Sequence, residues 1–189
     1  MQLLDVINER RAVRNFTARP MERPVIERLI NAAIQAPSAM NLQPWAFAAL
    51  LDPRKIDDCA ARAKQYMLGN FGETGLEPSA RSLLDKPEFD IFYHAPGLVL
   101  VMATSSSSQA TEDCCLAAQN LMLAARDEGI GTCWIGFGRP WLNLPATKHE
   151  FGLPESYQIV APLVLGYPEA WPEPHGRRSP EIHWLGQTG

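Results

Sequence analysis

The sequence predicts one α+β or α/β domain, and three observations carry that expectation. Apolar runs of strand length alternate with amphipathic stretches at helical spacing, with no internal repeat and no low-complexity tract. The 189 residues amount to little more than one domain at about 150 residues per domain. Hydrophobic residues at 46% and charged residues at 20% suit a chain with a buried core and exclude whole-chain disorder. The domain is expected to cover 1–189, with 167–189 as an extended C-terminal arm.

In chain order, a short amphipathic helix is predicted over Leu3 to Glu9, with Leu3, Leu4 and Ile7 turned inward. A second runs from Pro24 to Ala36. Val25, Ile26, Leu29, Ile30, Ala33 and Ile34 fall on one face, Pro24 suits the first turn and Pro37 stops the element. Trp45 to Leu51 reads as a strand, and a helix follows over Lys55 to Met67 after Asp52-Pro53. Gly69 to Tyr93 has no period and is expected to be an irregular lid.

Leu98 to Ala103 is a continuously apolar strand, consistent with burial on both faces. After the polar Ser105 to Ser108, Thr111-Glu112-Asp113 reads as a helix cap with acidic residues at the positive dipole end. The helix to Asp127 is apolar nearly all round, so its own domain or a second subunit must cover every side. Gly129 and Gly131 end it, and Thr132 to Ile135 forms a third strand. A short helix interrupted at Pro145 is expected within 141–151. Tyr157 to Gly166 is a fourth strand whose Pro162 belongs at an edge, a bulge or the strand's start.

The net charge of −4 gives no overall positive field for nucleic acid or anionic lipid. Four cysteines without a C-x-x-C pair fit reduced thiols in a cytoplasmic protein, and no signal peptide or membrane helix is visible. Phosphate-loop, Rossmann and G-x-S-x-G motifs are absent, which weakens nucleotide hydrolysis, dinucleotide binding on that fold and serine hydrolysis. The four histidines lack metal-ligand spacing and adjoin no paired carboxylate, so neither a metal site nor a side-chain acid or base is assigned.

Arginine supplies 13 of the 17 basic residues. Arg10, Arg11 and Arg14 cluster after the first helix, and Arg177 and Arg178 pair in the arm. Guanidinium forks bind phosphate oxygens in bidentate fashion and stay charged when desolvated, so the two groups could converge on one phosphorylated ligand. Two solvated charge patches are the alternative. The loop Ala36-Pro37-Ser38-Ala39-Met40-Asn41-Leu42-Gln43-Pro44-Trp45 offers amides and short polar side chains to a flat heterocycle, or serves only as a helix-to-strand connection.

These stretches, together with Gly129-Ile130-Gly131-Thr132-Cys133-Trp134-Ile135-Gly136 and Leu165-Gly166-Tyr167-Pro168, resemble in order and interval the nitroreductase family of FMN-dependent oxidoreductases. The resemblance implies an α+β fold with a central, mostly antiparallel sheet flanked by helices. It also implies a domain-sharing homodimer with two FMN sites at the interface and reduction by NADH or NADPH. Arg10, Arg11 and Ala12 would lie at the FMN phosphate with one or both of Arg177 and Arg178. Arg14 matches the basic residue beside flavin N1 and O2, where it would stabilise the charge of the reduced ring. Pro37, Ser38, Ala39 and Asn41 match the loop that touches the isoalloxazine from the partner, with Gln43 read as structural; Ile135 and Gly136 match the strand end facing N5. Ala12 stands where the family usually carries Ser, and 70–92, where the family usually builds its substrate cover, aligns with none of the family's pattern.

The activity so implied is hydride transfer from a nicotinamide to flavin, then ping-pong reduction of an electron-poor small-molecule acceptor such as a nitroaromatic or quinone. The alternatives are dehalogenation or flavin fragmentation within the family, and a non-catalytic flavin-binding or sensing protein.

Overall fold

The computed structural model describes residues 2–73, 76–173 and 175–186, and among these four strands form one sheet in the order β1-β2-β4-β3. They are β1 (Trp45–Leu50), β2 (Gly97–Ala103), β3 (Gly131–Trp134) and β4 (Gln158–Gly166), and each neighbouring pair is antiparallel. Both faces of β2 are covered, so every one of its residues is buried: Val99, Val101 and Ala103 enter one core, and Leu98, Leu100 and Met102 the other. The first core is completed by α2 (Arg23–Ala33) and α5 (Ser108–Asp127), the second by α3 (Pro53–Gly69) and α6 (Arg139–Leu142). The fold is α+β with the antiparallel sheet the sequence implied.

Pro162 is neither at an edge nor at the strand's start, because β4 is an interior strand. The β2–β4 register shifts between Val101 and Met102, leaving Val160 as an extra residue two positions before the proline. Pro162 sits where the β3 ladder ends, its carbonyl accepting from the Ile135 N–H at 2.9 Å. In a strand a residue's N–H lies on the same side as its carbonyl, so the missing donor falls where pairing is ending.

Several elements depart from expectation. The helix α1 (Leu3–Glu9) forms where predicted but buries only Val6, while Leu3 and Leu4 are 69% and 70% exposed. The cap of α5 is Ser107, whose Oγ accepts from the Ala110 N–H at 3.1 Å, so the helix begins ahead of Thr111. The expected irregular lid holds a 3-10 turn at Phe71–Glu73 and a further helix, α4 (Pro78–Leu84); Thr74 and Gly75 lie outside the described residues. Only Leu84 of α4 is buried, too little apolar repeat to reveal a helix in the sequence. Pro145 starts α7 (Pro145–Glu150) rather than interrupting one helix. The arm beyond Tyr167 carries no helix or strand in its described part; Pro174 and 187–189 lie outside it.

The apolar surround of α5 is divided. Ala117, Ala118, Leu121 and Ala125 are fully buried within this chain, whereas Leu116 remains 46% exposed. The cysteines are unpaired, and burial pushes the Cys59 thiol up to about 11 and the Cys114 thiol up to about 12, as suits small core residues. Among the described residues no helix is long and apolar enough to cross a membrane.

Candidate functional site

Residues 12–17 are laid along the end of the sheet and held there by backbone. Ala12 bridges Thr132 in parallel, and the Val13 N–H donates to the Thr132 carbonyl at 3.0 Å. A Cβ on Gly131 would lie 2.7 Å from Val13, so only glycine admits this approach. Further on, Phe16 bridges Pro168 and the Thr17 N–H donates to the Tyr167 carbonyl at 2.8 Å. A Cβ on Gly166 would strike both Pro96 and Phe16.

This placement puts Arg14 between two cavities. One, of about 450 Å³, is lined by Arg10, Arg11, Ala12 and Arg14 and, from the arm, Trp171 and Arg177. The other, of about 780 Å³, is lined by Arg14, Tyr93, Cys133, Trp134, Ile135 and Gly136, with Tyr66 and Asn70 from α3 and its end. The sequence-predicted Arg10, Arg11, Ala12, Arg14, Ile135, Gly136 and Arg177 are thus brought together. Arg178 is exposed and lines neither cavity, so of the arm pair only Arg177 converges.

The first cavity concentrates positive charge. Burial lowers the Arg10 pKa, and the nearby Arg11 and Arg177 lower it further. Arg11 Nη1 donates to the carbonyls of Asn8 and Arg10, both at 2.7 Å, which leaves its Nε buried without a partner. Among the described residues no carboxylate forms an ion pair with Arg10, Arg11, Arg14 or Arg177. Guanidiniums gathered without a counterion have the chemistry to take a multivalent anion.

In the second cavity the Arg14 guanidinium lies 5.8 Å from the centroid of Tyr93, which itself adopts the left-handed φ of 58°. Burial pushes the Tyr93 phenol and the Cys133 thiol up, and the neighbouring Arg14 opposes both shifts. Phe89 packs edge-on against Tyr93 and against Phe137, with centroids 5.9 and 6.3 Å away. Gly136 has no atom within 4 Å of where a Cβ would stand, so its backbone faces open cavity. Sequence reasoning missed Asn70 and Tyr93, which lie in the stretch where it found no period, and Phe137, one residue past the motif that ends at Gly136.

The loop 37–43 is elsewhere. None of Pro37, Ser38, Ala39 or Asn41 lines either cavity within one chain. The Ala39 N–H donates to both carboxylate oxygens of the buried Asp113, at 3.1 and 3.2 Å, and Ser38 Oγ accepts from the Gln43 N–H at 3.0 Å. Met40, Asn41 and Gln43 hold left-handed φ of 52°, 54° and 50°, and Met40 is 91% exposed. Asp113, read from sequence as a charge at the helix start, is the loop's anchor; an acid inside an apolar helix was the signal.

Folding also assembles Asp57, Asp90 and His94, whose ligand atoms lie within 4.8 Å of one another. His94 Nδ1 lies 3.0 Å from Asp57 Oδ1, and Asp90 Oδ1 accepts from the N–H groups of Phe92 and His94 at 2.8 and 3.1 Å. This carboxylate caps the turn that presents Tyr93.

A family model described as the nitroreductase family matches residues 7–167. A 4-nitrobenzoate reductase of Pseudomonas putida is 31% identical over 192 residues, covering 86% of this chain and 83% of that protein. An iodotyrosine deiodinase of Thermotoga neapolitana is 28% identical over 181 residues, covering 88% of this chain and 89% of that protein. The crystal structure of a nitroreductase with bound FMN from Bacteroides fragilis superposes with a TM-score of 0.82 at 26% identity, covering 98% of this chain and 99% of that one. Since the family match runs from before the N-terminal arginines to the end of β4, the chain belongs to the nitroreductase family.

Proposed function

We propose that this chain is an FMN-dependent oxidoreductase of the cytoplasm that uses NADH or NADPH to reduce electron-poor acceptors, such as nitroaromatics or quinones, in a ping-pong cycle. One observation carries the reading: unpaired guanidiniums at one end of the site are joined through Arg14 to an aromatic-walled cavity at the end of the sheet. The residues fit the cofactor on two counts. The orphaned Arg11 Nε calls for an anion such as the FMN phosphate, and open space at Gly136 leaves room for a flat ring against backbone.

Arg10, Arg11 and Arg177 would hold the phosphate, with Ala12 contributing backbone alone. Ile135 and Gly136 would orient the ring, and Arg14 would offset negative charge gathering on its pyrimidine side. When bound, FMN would take hydride from the nicotinamide and pass electrons to the acceptor. Tyr66, Asn70 and Tyr93 wall the space that reductant and acceptor would occupy in turn.

We further propose a homodimer, in which Pro37, Ser38, Ala39 and Asn41 reach the partner's site. Support comes from the exposed Leu3, Leu4, Met40 and Leu116, apolar side chains that one chain leaves in water. The similarity to an iodotyrosine deiodinase favours reductive dehalogenation as the second reading.

The purified protein should be yellow, with about one FMN per chain. Steady-state rates with NAD(P)H and a quinone should give parallel double-reciprocal lines. A colourless protein that takes up no added FMN sinks the reading, and intersecting lines sink the shared cavity. Iodide release from an iodinated phenol with NAD(P)H as reductant, without quinone turnover, selects the second reading.

A further inference from the structure

We infer that Arg126 is a positioning residue: it fastens the C-terminal arm across the arginine cavity, so that Trp171 and Arg177 complete a site for a phosphate monoester. The ligand in this inference rests on the FMN reading above.

Arg126 stands in the last turn of α5, with only 13% of its side chain exposed. Its Nη2 donates to Glu9 Oε2 at 2.5 Å, and its Cζ lies 3.7 Å from the centroid of Trp171. One guanidinium therefore joins three stretches of chain around one cavity. Glu9 immediately precedes Arg10 and Arg11, and Trp171 lines the same cavity as those two and Arg177. Backbone pairing fastens the arm as far as Glu169, whose N–H donates to the Asn15 carbonyl at 3.2 Å; two residues further on, the indole on Arg126 supplies the next attachment.

The need for such a fastening follows from charge. Arg177 shares the cavity with Arg10 and Arg11 and lies close enough to Arg10 to repel it, so the charge cluster by itself works against the arm's placement. A stack of low exposure offsets that repulsion and presets the arm before the ligand arrives, which lowers the ordering cost of binding. The residue type is specific as well: a guanidinium offers a flat face to an indole while its edge meets a carboxylate, and an ammonium cannot do both. The Arg126 Nε is buried without a partner, so the side chain's placement follows the stack and the ion pair rather than full hydrogen bonding.

The test uses full-length protein freed of flavin and titrated with FMN and with riboflavin, which lacks the phosphate. Trp171→Ala is expected to weaken FMN binding roughly tenfold while leaving riboflavin binding unchanged. Arg126→Leu should match it, and Trp171→Phe should restore most of the affinity, since another aromatic face can stack. Trypsin should cut after Arg177 or Arg178 faster in Trp171→Ala than in the parent. Unchanged FMN affinity in both Trp171→Ala and Arg126→Leu, or an equal loss for both flavins, overturns the positioning role. A parent protein that binds neither flavin overturns the FMN reading instead, and the trypsin comparison then decides the arm contact by itself.

Discussion

Residues 10–17 and residues 37–43 both carry side chains that the sequence assigns to the site, yet they are built in opposite ways. The first stretch is tied by backbone to Thr132, Tyr167 and Glu169, and its glycine neighbours admit no side chain. The second is held at its base by Asp113 and Ser38, keeps three non-glycine residues in the left-handed region and turns Met40 outward. Left-handed backbone is unfavourable by about 1–2 kcal/mol per residue outside glycine, so the strained loop is sustained only where surrounding contacts determine it. One chain brings the arginine stretch to a cavity, whereas Pro37, Ser38, Ala39 and Asn41 line neither cavity there. In the proposed homodimer, local strain and exposed apolar surface belong to the part of the site that the partner would finish.

The sharpest way to break this contrast is at Leu116. Because that side chain is exposed in the single chain, Leu116→Glu should leave the fold intact yet prevent dimerisation, giving a folded monomer depleted of flavin. Sedimentation and the flavin absorbance decide it, and a flavin-loaded monomer would remove the role given to the loop. Leu121 is the control: it is fully buried in its own chain, so Leu121→Ala should lower stability by about 2–5 kcal/mol through a core cavity.

Next in size is the arginine half. Arg10→Ala should weaken FMN binding by about 1.5–3 kcal/mol, the range for a hydrogen bond to a charged group, with little change for riboflavin. An equal loss for both flavins would move Arg10 away from the phosphate. Arg14→Met should retain FMN yet lower its two-electron potential by about 30 mV, equivalent to about 1.4 kcal/mol. Dye-equilibration titration measures this, and an unchanged potential would leave Arg14 without the electrostatic role.

The smallest effect sharpens the loop side. In the monomeric Leu116→Glu background, where no partner would cover the loop, Met40→Gly relieves the left-handed penalty but adds unfolded-state entropy, for a net stabilisation of about 0.5 kcal/mol in urea denaturation. A destabilised double variant would mean that the methionine is packed within its own chain, contrary to its exposure there.

Legibility in the sequence followed the length scale of each signal. Apolar runs and helical spacing gave all four strands and the helices α1, α2, α3 and α5. Four short motifs in register gave the family and seven residues that fold around two cavities joined at Arg14. Helix α4 was not legible because only Leu84 is buried, and the inward face expected of Leu3, Leu4 and Ile7 was wrong because periodicity reports an apolar face and not what covers it.

By itself the sequence determined the α+β order of elements and the clustering of arginine in two places along an acidic chain, since each is a local property of residue type and spacing. Only the tertiary structure decided that Arg177 and not Arg178 joins Arg10 and Arg11, that Arg126 and Trp171 stack, and that Tyr93 faces Arg14. Those outcomes depend on where chain segments more than 40 residues apart come to lie, which backbone bridges and close-packed glycines set and no local pattern encodes.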